Sequence, residues 1–157
     1  GICIAVSTAD CVPVLVYAPN KNVVAAIHAG WRGTVKQVVA KTIGYMVAHY
    51  GCEPSCMLAG IAPSICKDSF EVGDEVVDAF QATGVDMNRI MERNIRTGKA
   101  HIDLWEANRI QLLQSGLRPE HIEISGICTF RYHNDFFSAR RLGIKSGRIL
   151  SGIMIKD

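Results

Sequence analysis

Cys11 and His28 stand seventeen positions apart in the stretch TADCVPVLVYAPNKNVVAAIHAGWRGT. A thiolate and an imidazole are both good zinc ligands, and a catalytic zinc takes three protein ligands plus an open position. The same two groups also make a Cys nucleophile with a His base. A third reading involves no reaction: a half-buried Cys at a strand end beside a hydrogen-bonded His. After His28, Gly30, Arg32 and Gly33 lie between a strand end and an expected helix start at Thr34. Free N–H groups at a helix start, with its positive dipole end and a nearby Arg, suit an anion such as phosphate. The two glycines permit close backbone approach. A tight strand-to-helix turn with Arg32 in solvent accounts for the same residues. Asp10, next to Cys11, either orients a histidine or contacts a ribose, or is an acidic turn residue.

Whether Cys11 meets His28 depends on the elements that carry them. Residues 12–17 and 23–29 are strand-like runs rich in Val, joined by Ala18, Pro19, Asn20, Lys21 and Asn22. That connection is too short for a parallel crossover, so the pair is expected as an antiparallel hairpin. Placing Tyr17 opposite Val23 sets Val12 opposite His28 and brings Cys11 and His28 to the same open end. Directly opposed side chains have Cβ atoms about 5 Å apart, and a slip of one residue moves a side chain to the other face.

Further strands are expected at 2–6, 57–61, 122–127 and 149–155. A helix capped by Thr34 is expected over 34–50, with the apolar stripe Val35, Val38, Val39, Thr42, Ile43, Met46, Val47 and Tyr50 and a stop at Gly51. A second is expected over about 73–80. A third, DLWEANRIQLLQSG, has Asp103 as N-cap, Glu106 at the third helical position and Gly116 at its end. Strands and helices mix without strict alternation, which points to an α+β class in a single domain spanning 1–157.

Hydrophobic residues make up 48% and charged residues 20% of the 157, a globular composition rather than a disordered one. A net charge of +2 is too small for a nucleic-acid footprint, and Arg140, Arg141, Lys145 and Arg148 read as a solvated basic loop. No apolar run approaches the roughly eighteen residues of a membrane span. The six cysteines, Cys3, Cys11, Cys52, Cys56, Cys66 and Cys128, are expected as reduced thiols in a cytoplasmic setting.

Five stretches taken together resemble one family: TADCVPVLVY, AAIHAGWRGTV, GIAPSICKDSFEVG, DLWEANRIQLLQSG and CTF…FFSARR…GR. This is the YfiH-type family, whose members carry the names multicopper polyphenol oxidase (laccase) domain, purine nucleoside phosphorylase and peptidoglycan editing factor. The resemblance implies an α+β domain of mixed β-sheets, with a Cys/His-bearing hairpin and packed helices. It also implies a zinc site of His, Cys and His, in which Cys11 and His28 are two ligands. The other His belongs to a motif upstream of both, so the third ligand is expected before Gly1 and the chain is expected to lack an N-terminal portion. Ala139 and Leu142 stand where the family usually has Tyr and Asp.

The family's activities imply phosphorolysis of adenosine, inosine, guanosine and methylthioadenosine, or adenosine deamination. A purine nucleoside and phosphate are then the partners of a monomer or homodimer, with no nucleic acid and no membrane. On the phosphorylase reading Cys11, His28 and Asp10 are catalytic, while Gly30, Arg32, Gly33 and Thr34 hold phosphate. The alternatives are a Cys–His amidase-type hydrolase, in keeping with the peptidoglycan-editing name, and a copper laccase. With five histidines and no His-x-His pair, the chain offers little for multicopper chemistry.

The remaining candidates have plainer explanations. Cys66 and Cys128 are expected as packing thiols, with a pocket role as the alternative. Cys52 and Cys56 flank a turn. His49 is expected near a helix C-terminus, and His101 and His121 at the surface. His133, Phe136 and Phe137 lie in a polar-aromatic loop that could line a purine pocket or divide between core and surface. Arg140 and Arg141 read as pocket or ion-pair residues.

Overall fold

A computed structural model describes residues 1–143 and 145–156. The chain opens with strand β1, Cys3–Thr8, followed by the hairpin β2, Val12–Ala18, and β3, Val23–Ala29. Helix α1, Trp31–Val35, and helix α2, Val38–Tyr50, lead to β4, Leu58–Ile61. Next come β5, Glu71–Val72, α3, Asp74–Gln81, α4, Met87–Ile90, β6, Met91–Arg93, and β7, Ala100–Ile102. Helix α5, Leu104–Gln114, β8, Ile122–Ile124, α6, Ala139–Leu142, and β9, Ile149–Met154, complete the order.

The central sheet has the order β3-β2-β4-β8, antiparallel except for the parallel pair β4–β8. Val12, Val14, Val16 and Ala18 of β2 are wholly buried, because helices cover the face to which these alternate residues point. Helix α2 packs on β3 and α5 on β4 and β8, while the antiparallel ribbon β1–β9 lies against β2 and β3. A small sheet, β5-β7-β6, completes an α+β fold.

Helix α5 begins as its sequence predicts, with the Asp103 carboxylate accepting from the Glu106 N–H at 3.0 Å. Helix α2 ends at Gly51 (φ 64°), where the Gly51 N–H donates to Val47 and the Cys52 N–H to Met46. Glycine takes this left-handed geometry without steric cost.

Two expectations need correction. The helix expected over 34–50 is two helices, broken at Gln37, which has φ 57°. Thr34 is therefore not an N-cap. It lies inside α1, 2% exposed, with its N–H donating to the Gly30 carbonyl at 2.8 Å. The hairpin register is also shifted by one residue: Ala18 pairs with Val23, Val12 with Ala29, and Pro13 with His28. The loop is shorter than expected because Asn22 adopts φ 53°, a conformation that Asn tolerates better than most residues.

Candidate functional site

The observed register, continued by one residue, sets Cys11 beside Gly30 at the open end of the β2–β3 hairpin. A Cβ on Gly30 would lie 2.7 Å from the Cys11 Sγ and 3.9 Å from the His28 Nε2. The thiol and the imidazole thus converge on the space that Gly30 leaves open. The φ of Gly30 is −65°, which any residue can adopt, so glycine is needed here for room rather than for conformation. His28 points to the exposed side of β3, between buried Ile27 and Ala29, while Cys11 is half-buried. Burial, and then the adjacent Asp10 carboxylate, push the Cys11 thiol up, and the Arg148 guanidinium draws it part of the way back.

Asp10 is an anchor. Its carboxylate accepts from Thr129 Oγ1 at 2.7 Å, Ser138 Oγ at 3.0 Å and the Arg140 N–H at 2.7 Å, and its carbonyl accepts from the Ile65 N–H at 3.0 Å. Asp10 itself is 8% exposed with φ 80°. With three donors on the carboxylate, Asp10 fixes the backbone at Cys11.

The turn after His28 is held from α5. The buried Asn108 donates to Thr34 Oγ1 at 3.2 Å and to the Leu104 carbonyl at 2.8 Å, and Gln111 donates to the Thr34 carbonyl at 2.7 Å. Thr34 Oγ1 also donates to the Gly30 carbonyl at 3.1 Å. Its hydroxyl and N–H are committed within the protein, so Thr34 positions the turn and is not available to phosphate. At Gly33 a Cβ would come within 3.3 Å of both the His28 carbonyl and Val38 Cγ1, which makes it a packing glycine. Arg32 is exposed, its guanidinium 4.3 Å from the centre of the Trp31 ring.

Arg148 is the cation that acts on Cys11, and the sequence showed it only as one of a basic group. Its guanidinium donates to the Ser146 and Gly147 carbonyls, and the Phe137 ring lies against Gly147. Phe137 thereby braces the loop carrying Arg148. Arg140 donates to the Glu71 carbonyl and lies over Phe70, while Arg141 lies over Phe130. His101 is on β7, its side chain 17% exposed and its Nδ1 3.2 Å from the Lys67 carbonyl, rather than at the surface. His49 stacks on Tyr45.

Among the described residues no cluster of three or more His, Cys, Asp or Glu side chains could hold a metal ion. A cysteine sulfur and an imidazole nitrogen, as in Cys11 and His28, are donor types that zinc accepts.

The model of the family described as multi-copper polyphenol oxidoreductase laccase matches residues 1–156. The chain belongs to this family. It is 57% identical over 155 residues to a purine nucleoside phosphorylase of Bacteroides thetaiotaomicron, covering 99% of this chain and 57% of that protein. It is 48% identical to adenosine deaminase RL5 of an unknown prokaryotic organism, covering 99% of this chain and 59% of that one. The crystal structure of YlmD from Geobacillus stearothermophilus superposes with a TM-score of 0.92 at 33% identity, over 99% of this chain and 58% of that one. The chain therefore spans somewhat over half the length of these relatives. No helix among the described residues is long and apolar enough to cross a membrane.

Proposed function

We propose that the chain carries the Cys–His part of a zinc-dependent purine nucleoside phosphorylase acting on adenosine, inosine, guanosine or methylthioadenosine. The observation that carries this reading is the convergence of Cys11 and His28 over Gly30. The similarity to a named purine nucleoside phosphorylase supports it. In the reaction a phosphate oxygen bonds to the anomeric carbon as the bond from that carbon to the purine nitrogen breaks, and the base leaves with a proton. Arg148, whose charge favours the Cys11 thiolate, and Arg32 on the exposed turn supply positive charge for phosphate. Cys11 and His28 would hold the zinc, which supplies Lewis-acid polarisation when bound; a further donor from beyond the described residues completes its ligand set. Asp10, Thr34 and Asn108 keep the two ligand-bearing strand ends in place.

A second reading, adenosine deamination by the same pair, is favoured by the 48% identical relative named as a deaminase. The Cys–His hydrolase has less support, since burial and Asp10 disfavour the Cys11 thiolate in the absence of a cation. The test is incubation of the zinc-loaded protein with inosine and phosphate. Hypoxanthine release that Cys11→Ala abolishes is the expected result. No release with zinc verified present overturns the phosphorylase, and ammonia release from adenosine in its place establishes the deaminase.

A further inference from the structure

On the far side of the Asp10 anchor, two thiols share one hydroxyl. Cys66 Sγ is 3.4 Å and Cys128 Sγ 3.7 Å from Ser69 Oγ, and the Cys66 N–H donates to Cys128 Sγ at 3.3 Å. Both residues are buried, at 8% and 3% exposure, yet both line a cleft of about 400 Å³ together with Trp105, Tyr132, Lys67 and Arg131. The proposed nucleoside reaction gives these sulfurs no task. We infer that Cys66 and Cys128 form an oxidisable dithiol, a modification site at which a peroxide converts the pair to a disulfide.

Three features support the assignment. Each sulfur sits on a loop segment rather than inside a long helix or strand, Cys66 just before the short 3₁₀ turn Lys67–Ser69 and Cys128 at the isolated bridge to Ser64. With the Cys66 N–H already on Cys128 Sγ at 3.3 Å, closure to the S–S distance of about 2.05 Å moves these loop segments and not the central sheet. The cleft admits a small oxidant, with the Arg131 guanidinium within electrostatic reach of both sulfurs. The two thiols are also unlike each other. Burial works against the Cys128 thiolate, but hydrogen bonds from the Cys66 thiol, the Cys66 and Arg131 N–H groups and Ser69 outweigh it and hold Cys128 below the ordinary thiol range. Burial first, eased by Ser69, leaves Cys66 above that range. Cys128 Sγ also accepts the Cys66 N–H at 3.3 Å, a bond that suits a thiolate, so Cys128 is the attacking sulfur and Cys66 the resolving one.

In the first step Cys128 sulfur bonds to one peroxide oxygen as the O–O bond breaks, and the departing hydroxide takes a proton to become water. Cys66 sulfur then attacks the Cys128 sulfenic acid. The S–S bond forms, the S–O bond breaks, and the Cys66 proton leaves with the hydroxyl as a second water. The two sulfurs together lose two electrons, which reduce the peroxide to water. Cys3, Cys52 and Cys56 are not part of this pair: Cys3 is exposed on β1, none of the three lines the cleft, and the Cys56 thiol donates a hydrogen bond to Glu53.

The test is to treat the fully reduced protein with hydrogen peroxide under conditions where its circular dichroism is unchanged, then map the cysteines by mass spectrometry. The expected product has lost two hydrogen atoms, carries a fragment linking Cys66 to Cys128 and reverts with dithiothreitol. In Cys66→Ser the link is absent and Cys128 accumulates as a sulfenic acid trapped by dimedone. Free Cys66 and Cys128 in the wild type after other thiols have reacted, or a link between another pair, overturns the assignment. Because the wild-type mapping is sufficient alone, a misfolded variant does not block the test, and no readout depends on nucleoside chemistry.

Discussion

Gly30 is where the smallest change should cost the most. Its backbone angles suit alanine, yet an alanine methyl would sit 2.7 Å from Cys11 Sγ, closer than the atoms allow. In Gly30→Ala the thiol must move by a fraction of an ångström to an ångström. Misplacement on that scale costs about 100-fold in rate. Steady-state kinetics should show that loss in kcat/KM, with zinc affinity measured by dialysis falling in parallel and the thermal midpoint nearly unchanged. Arg148→Ala should raise the KM for phosphate more than it lowers kcat, because it removes a charge and leaves the thiol and imidazole in place. An unchanged phosphate KM would remove Arg148 from the site.

Helix α5 reaches the site through polar bonds and the core through apolar contacts. Asn108→Ala leaves the buried Thr34 hydroxyl with one partner fewer, and a lost buried hydrogen bond costs about 1–3 kcal/mol; urea unfolding measures it directly. The N-terminal end of the same helix has a pH-dependent element. Burial opposes ionisation of Glu106, but its bonds to Arg109 and Arg89 outweigh burial and hold the carboxyl below the usual carboxylate range. A lowered folded-state pKa gives stability that is present above the unfolded value, about 4.3, and lost as pH falls through the folded value. The stability advantage of the wild type over Glu106→Gln should therefore be full at neutral pH and shrink in acid below about pH 4.3. Helix α5 was legible in the sequence because the Asp103 cap, Glu106 at the third helical position and the stop at Gly116 agree. The hairpin was legible too, but not its register, which turned on Asn22 taking a left-handed conformation that an asparagine permits without requiring. The break at Gln37 carries no glycine or proline to mark it. Strands β5, β6 and β7, two or three residues each, are too short to show a period. Cys11 and His28 were identifiable as a pair from spacing and strand pattern, whereas Arg148 comes to Cys11 from the far end of the chain, beyond any local signal.

Across the molecule, the core and the outer ribbon should respond very differently to substitution. Leu112 is wholly buried among the central sheet and helices, and Leu112→Ala should cost about 2–5 kcal/mol in chemical denaturation. Leu150, 74% exposed on β9, should tolerate serine within about 0.5 kcal/mol. The Asp10 anchor has a consequence for how the site comes into being. Its three side-chain bonds join residue 10 to partners 119, 128 and 130 positions away. Contacts between such distant residues are entropically costly to close and tend to form late. Cys11 is synthesised before its anchors, and its backbone is held in place only once the segment from Thr129 to Arg140 has been made and has docked. Catalysis by this site would accordingly act as its own proofreading signal, since a chain that has not finished folding has the thiol and the imidazole but not their fixed geometry.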